Sequence, residues 1–168
     1  MKKLLKGLLG VFVILVVVGA LASMFGGGDG DAEPAMSEPL KLGDTWTHKN
    51  ISYQVTNVKR STGKDFIKPD AGNVWIEVEL LIENKSKSDF TVSSVMMFSA
   101  VDDEGYTYDI TIGDGSQKQI DGTVAAGSKL KGAVVFEVPT SAKTLDVRIT
   151  PGLVSETRGV WRLELPTK

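Results

Sequence analysis

The chain has no cysteine and a single histidine, His48. The first absence removes disulfides, thiolate nucleophiles, Cys-ligated zinc and iron–sulfur clusters at once. The second leaves a Ser-His-Asp hydrolase one histidine to use, and no G-x-S-x-G elbow accompanies it. His48 lies in THKNIS, which reads as a strand end or turn, so it is expected to be a surface histidine without a catalytic part. An excess of one charge is missing as well. From Lys41 onward 16 basic residues interleave with 17 acidic ones, giving no field to attract nucleic acid, and that partner is set aside. Beyond residue 40 no stretch of ten or more positions carries a 3.6-residue apolar stripe, so little helix is expected there.

Lysine and arginine are also absent between Lys6 and Lys41, and inside that gap lies an uncharged run from Gly7 to Phe25. Its 19 residues would span about 28 Å as a helix, the thickness of a bilayer's hydrocarbon core. Leu, Val, Ile and Phe go all the way round, which suits lipid and not a half-solvated surface. Lys2, Lys3 and Lys6 precede the run, so the positive-inside rule keeps the N-terminus cytoplasmic and carries the rest across. Ala20-Leu21-Ala22 also resembles a signal cleavage site, and cutting after Ala22 would secrete the same domain into the same compartment. With no cysteine to acylate, a lipobox is excluded. Small residues Gly19 and Ser23 would permit helix pairing, a weak signal in any apolar helix.

The organisation that follows has four parts. Residues 1–6 are a basic cytoplasmic N-terminus, 7–25 a transmembrane anchor or signal segment, 26–39 a flexible acidic Gly-rich linker, and 40–168 one domain. The linker GGGDGDAEPAMSEP cannot form a core, and 14 residues of flexible chain reach about 20 Å. Asp29 and Asp31 in it read as solvated linker rather than calcium ligands.

Past Leu40 the pattern alternates. VWIEVELLIEN sets Ile76, Val78, Leu80 and Ile82 on one side and Glu77, Glu79 and Glu83 on the other, as in a half-buried strand with a solvated acidic face. Ile51, Tyr53 and Val55 repeat the alternation, as do Val134, Phe136 and Val138; Leu145, Val147 and Ile149; and Trp161, Leu163 and Leu165. Polar turns separate these runs at Asn84 to Ser88, Asp102 to Gly105, Gly113 to Gly115, Ala126 to Ser128 and Pro151-Gly152. About eight short strands result, the pattern of an antiparallel sandwich of two sheets. Trp75 and Trp161 are both large enough to fill the space between the sheets, although Trp75 is out of phase with its strand.

Three blocks in this order resemble a known family. WIEVELLIEN ends on Asn84; FSAVDDEGYTY forms a hairpin with Phe98, Asp102, Gly105 and Tyr106; AAGSKLKGAVVFEVP carries Gly127, Gly132, Phe136 and Pro139. Together they resemble the domain-of-unknown-function 4352 family of bacterial and archaeal surfaces, which is similar in fold to the immunoglobulin-like secreted antigens of mycobacteria. The resemblance covers about residues 40 to 165. Ala126 stands where the family tends to have proline. It implies an all-β, immunoglobulin-like antiparallel β-sandwich, exported behind an N-terminal membrane span or lipid anchor, and it supplies no catalytic residue.

Each remaining candidate has a plain structural reading. Asp102, Asp103, Glu104, Asp109 and Asp114 would bind calcium only if the loop after them folded back, and they do not fit the D-x-D-x-D-G loop; a hairpin turn is expected. The sequons at Asn50 and Asn84 read as chance. Residues 58–72 form a long polar hairpin whose Lys59, Arg60, Lys64 and Lys68 read as solvated, with contact to anionic lipid or wall polymer as the functional alternative. No catalytic, cofactor-binding or metal-binding residue is nominated, and no cofactor is expected. The expectation is a non-catalytic, membrane-tethered extracytoplasmic binding module with a protein or cell-wall partner. Its rivals are a carboxylate-based envelope enzyme of the glycoside hydrolase type and a calcium-responsive accessory subunit of a membrane complex.

Overall fold

The structure, a computed structural model, describes residues 38–152, 155 and 157–167. The segment 7–25 expected to span the membrane and linker residues 26–37 lie outside the described residues. Among those described, no helix is long and apolar enough to cross a membrane.

The domain is built from strands, mostly antiparallel. They are β1 (Thr45–His48), β2 (Ile51–Ser61), β3 (Asn73–Asn84), β4 (Phe90–Val92), β5 (Phe98–Asp102), β6 (Thr107–Thr111), β7 (Gly122–Val124), β8 (Lys129–Pro139), β9 (Thr144–Ile149) and β10 (Gly159–Glu164), with one short helix, α1 (Ser94–Met97). Eight of them follow the order β1-β2-β3-β8-β6-β5-β9-β10, while β4 and β7 pair apart. Strand β6 serves both leaves of the sandwich: Thr107 to Asp109 pair with β5, then Ile110 and Thr111 pair with β8. On the other side Leu40 closes the gap, donating its N–H to the Val160 carbonyl (2.8 Å) and accepting from the Arg162 N–H (2.9 Å).

The alternation in the sequence fixes which side chains enter the core. Ile51, Tyr53, Val55, Ile76, Val78, Leu80, Ile82, Val134, Phe136, Val138, Leu145, Val147, Ile149, Trp161, Leu163 and Leu165 are all buried there. Each large aliphatic side chain removed from water contributes about 1.5–3 kcal/mol, enough to hold the domain without covalent staples. The short β1, β4 and β7 raise the strand number above the eight expected, because three or four residues cannot display a period.

Several expectations need correction. Trp75 does not fill the space between the sheets: it is buried on the opposite face of β3, its indole N–H donating to Glu137 Oε2 on β8 (3.0 Å). Glu77 is not part of a solvated face, being 6% exposed. The polar stretch expected as a hairpin over 58–72 is strand β2 as far as Ser61. A bulge between Val55 and Asn57 resets the phase of β2. It places Arg60 opposite Ile76, where the guanidinium donates to the carbonyls of Thr140 (3.3 Å) and Ala142 (3.4 Å), so Arg60 fastens the β8–β9 turn and is no part of a surface basic patch.

Candidate functional site

The three sequence blocks converge on turns. Asn84 is fully buried; its amide donates to the carbonyls of Ser88 and Val124 (2.8 Å each) and its Oδ1 accepts from the Ser86 N–H (3.0 Å) and hydroxyl (2.7 Å). Its main chain donates to Ser128 and accepts from Gly127, which turns with φ +74°. One side chain thus ties the β3–β4 loop to the β7–β8 turn. Such complete satisfaction is what a buried amide needs, and it removes Asn84 as a glycosylation acceptor.

Asp102 does the same for the β5–β6 hairpin. Its Oδ1 accepts from the N–H groups of Glu104 (3.0 Å) and Tyr106 (2.9 Å), and its Oδ2 from the Tyr108 hydroxyl (2.7 Å). The tyrosine that locks the turn is therefore Tyr108; the Tyr106 side chain is exposed. Burial, then the bond to Asp102, raises the Tyr108 pKa above that of an ordinary phenol. Gly132 is required by close approach, since a Cβ there would lie 2.8 Å from Ile120 Cα and 2.9 Å from the Lys118 carbonyl. That glycine lets the 118–120 segment pair against β8 where β6 has departed.

The acidic residues weighed for calcium go separate ways. Asp102 is spent on its turn, and Asp103 accepts from the Lys143 N–H (2.9 Å) on the β8–β9 side, which lowers its pKa. Among the described residues no three His, Asp or Glu side chains stand close enough to hold a metal ion. His48 ends β1, stacked on Trp46 with ring centroids 5.7 Å apart. Lys49 and Asn50 then turn the chain with positive φ.

A cleft that the sequence did not announce lies on the outward face of β3 and β8. The 112–117 segment folds over that face, enclosing about 90 Å³ above Glu77, with Thr111, Asp114, Ser116, Gln117 and Val135 among its walls. Ser116 holds the loop in shape: its N–H donates to Asp114 Oδ1 (2.9 Å), and its hydroxyl reaches Glu77 Oε1 at only 3.4 Å. Hydrogen bonds from Ser116 and the nearby Lys64 charge hold the Asp114 carboxyl below its usual range. Glu77 is left with that one long hydrogen bond and no salt bridge among the described residues, because neighbouring Lys59 (2.6 Å) and Lys131 (3.9 Å) both go to Glu79.

Exposed apolar side chains stand on the cleft wall and on two other segments. Of the seven exposed large hydrophobics among the described residues, Ile112 lines the cleft, Val95 and Met96 lie on α1, which packs against β6, and Phe66 and Ile67 lie on the short hairpin that begins at Lys64. Phe66 is fully exposed. A single exposed apolar residue means little, and adjacent exposed pairs such as Phe66-Ile67 and Val95-Met96 are the ones that suit a contact surface. The sequence signal for it is weak: Phe66-Ile67 stood inside a stretch read as polar, and Glu77 stood in phase with two solvated glutamates. A second, more open groove of about 600 Å³ runs between Glu38, Lys41, Val58 and β10. Its carboxylates, Glu38 and Glu164, are exposed, and its Arg162 is held bidentate by Asp146 at 2.8 and 2.7 Å.

An antiparallel sandwich with Asn84 and Asp102 locking its turns defines a class of β-domain rather than a chemistry. The chain belongs to the family described as a domain of unknown function, DUF4352, whose profile matches residues 40–159. No curated protein sequence matches it. Among solved structures it is similar to the yjhA protein of Bacillus subtilis, with 16% identity, TM-score 0.60, and 76% of this chain and 99% of that one covered. It is similar also to ycdA of Bacillus subtilis, described as a candidate lipoprotein (15% identity, TM-score 0.60), where 71% of this chain spans only 38% of the other. The secreted protein MPT63 of Mycobacterium tuberculosis matches with 18% identity and TM-score 0.52 over 76% of this chain and all of that one. At such identities the likeness concerns the fold alone.

Proposed function

We propose that the protein is a non-catalytic interaction module of the cell envelope: an immunoglobulin-like sandwich held outside the membrane by the 7–25 segment, engaging a protein through one face. The observation that carries this reading is the division of labour among its residues. Asn84 and Asp102, the polar family-signature side chains, are consumed by turns, whereas exposed large hydrophobics stand on α1, on the Lys64 hairpin and, at Ile112, on the wall of a loop-covered cleft. An extracytoplasmic place is supported by the positive-inside pattern of Lys2, Lys3 and Lys6 and by similarity to a protein named as secreted.

A carboxylate hydrolase is less well served. Small-molecule sites usually occupy about 300–1,000 Å³, while the cleft holding Glu77 and Asp114 encloses about 90 Å³. The roomier groove carries only exposed carboxylates. The test is a photo-crosslinker placed at Phe66 or Ile112, with Tyr106 as a reference away from the cleft, in intact cells expressing the full chain. Covalent adducts at the first two positions and none at the third are expected; equal labelling at all three, or none, would remove the reading. Protease digestion of a tag placed after Lys168 in intact cells tests the orientation, and a tag protected until lysis would overturn it.

A further inference from the structure

We propose that the cleft over Glu77 is the anchor point of this interaction face and receives an arginine or lysine side chain from a partner protein whose surrounding residues are apolar. This rests on the interaction-module reading and gives it a chemistry. Glu77 is the reason. It lies 94% removed from solvent contact, being 6% exposed, yet its carboxylate lines an open cleft and accepts only the 3.4 Å bond from Ser116.

The Glu77 carboxylate therefore has little support from the protein itself and turns to the cleft for the rest of its shell, to water or to a partner's donors. The lysines of the adjoining strands do not supply it: Lys59 and Lys131 go to Glu79. The cleft thus keeps an acceptor site that matches a guanidinium or ammonium group, and a cation entering it would lay its stem against the apolar part of the lining, Ile110, Ile112 and Val135. Charged anchors inside an apolar ring are the arrangement in which single side chains carry most of an interface's affinity. Arginine suits it best, since its stem packs on the rim while its fork reaches a carboxylate. A metal ion suits it less, with Glu77 and Asp114 the only carboxylates in the lining.

The experiment uses the full chain in intact cells with the crosslinker at Ile112, an exposed position whose replacement leaves the core untouched. Two perturbations are compared: Glu77→Gln in the same chain, and competition by millimolar acetyl-Leu-Arg-Leu-amide against acetyl-Leu-Gln-Leu-amide. The expected result is a protein adduct at Ile112 that falls at least tenfold with Glu77→Gln and is displaced by the arginine peptide only. The double change Phe66→Ser and Met96→Ser, both at exposed sites, is expected to reduce the adduct as well, keeping the test open should Glu77→Gln alter folding. An adduct that survives Glu77→Gln, or is displaced equally by both peptides, overturns the basic-anchor inference while leaving the interaction module intact. Adducts to lipid alone, or only at twice the mass of the chain, assign the face to membrane or to a second copy and also overturn it. No adduct at Ile112, Phe66 or any other loop overturns both.

Discussion

Asn84 and Glu77 lie on the same strand, seven positions apart, both buried, and they are treated in opposite ways. Asn84 has its amide donors and carbonyl acceptor filled by Ser86, Ser88 and Val124, and its main chain is bonded on both sides. Glu77 has one long bond and an open cleft in front of it. A filled shell marks a residue that the fold uses; the sparse one at Glu77 is what the proposed partner cation would complete. The same contrast separates Asp102, spent on three donors, from Asp114 at the rim of the cleft.

The comparison can be attacked in order of expected effect. Replacing Asn84 by Ala takes the amide donor from the buried Val124 carbonyl, leaves a cavity and frees Ser86 and the β3–β4 loop, and should cost about 3 kcal/mol or more. Tryptophan fluorescence in a urea titration of the full chain reads this directly, because Trp46, Trp75 and Trp161 all belong to the domain. A loss below about 1 kcal/mol would mean that satisfaction of its shell is not what Asn84 is for. Gly132→Ala should cost about 1–3 kcal/mol through overpacking against Ile120.

Glu137 sharpens the comparison by being the outward carboxylate that is satisfied. It accepts from the Asn73 amide (3.0 Å), the Asp70 N–H (2.8 Å) and the Trp75 indole (3.0 Å), and these bonds, led by Asn73, lower its pKa. Its folded pKa being the lower one, its stabilisation is present above the unfolded value and lost as pH falls through the folded value. Glu137→Gln should therefore cost about 1.5 kcal/mol near neutral pH, with the gap to wild type whole above roughly pH 5 and closing in acid. A gap constant down to pH 3 would deny the charge any part. The smallest effect expected is Tyr108→Phe, about 1 kcal/mol, against less than about 0.5 for the exposed Tyr106→Phe; equal losses would return the hairpin lock to Tyr106.

The sheet core was legible because burial in a two-faced strand has a period of two and the sequence keeps it in β3, β8, β9 and β10. It failed where geometry breaks the period. The bulge after Val55 turned Arg60 inward, Glu77 is buried on the far face under the 112–117 segment, and Trp75 on that face is fastened to Glu137 of β8, none of which a local pattern encodes. The hydroxyl that reaches back to Asp102 comes from Tyr108 on the returning strand, a role that the spacing of the hairpin block did not single out. The site was barely legible. Glu77 and Ile112 are far apart in sequence, and nothing in either stretch says that both line one cleft.

The most direct measurement sets Glu77→Gln beside Asn84→Ala in one urea series. The account expects the Asn84 variant to lose several kcal/mol while Glu77→Gln keeps wild-type stability or gains, since a neutral amide is cheaper to bury without a partner than a charge. A loss from Glu77→Gln as large as that from Asn84→Ala would contradict it, making Glu77 one more structural fastening and the cleft a by-product of the fold.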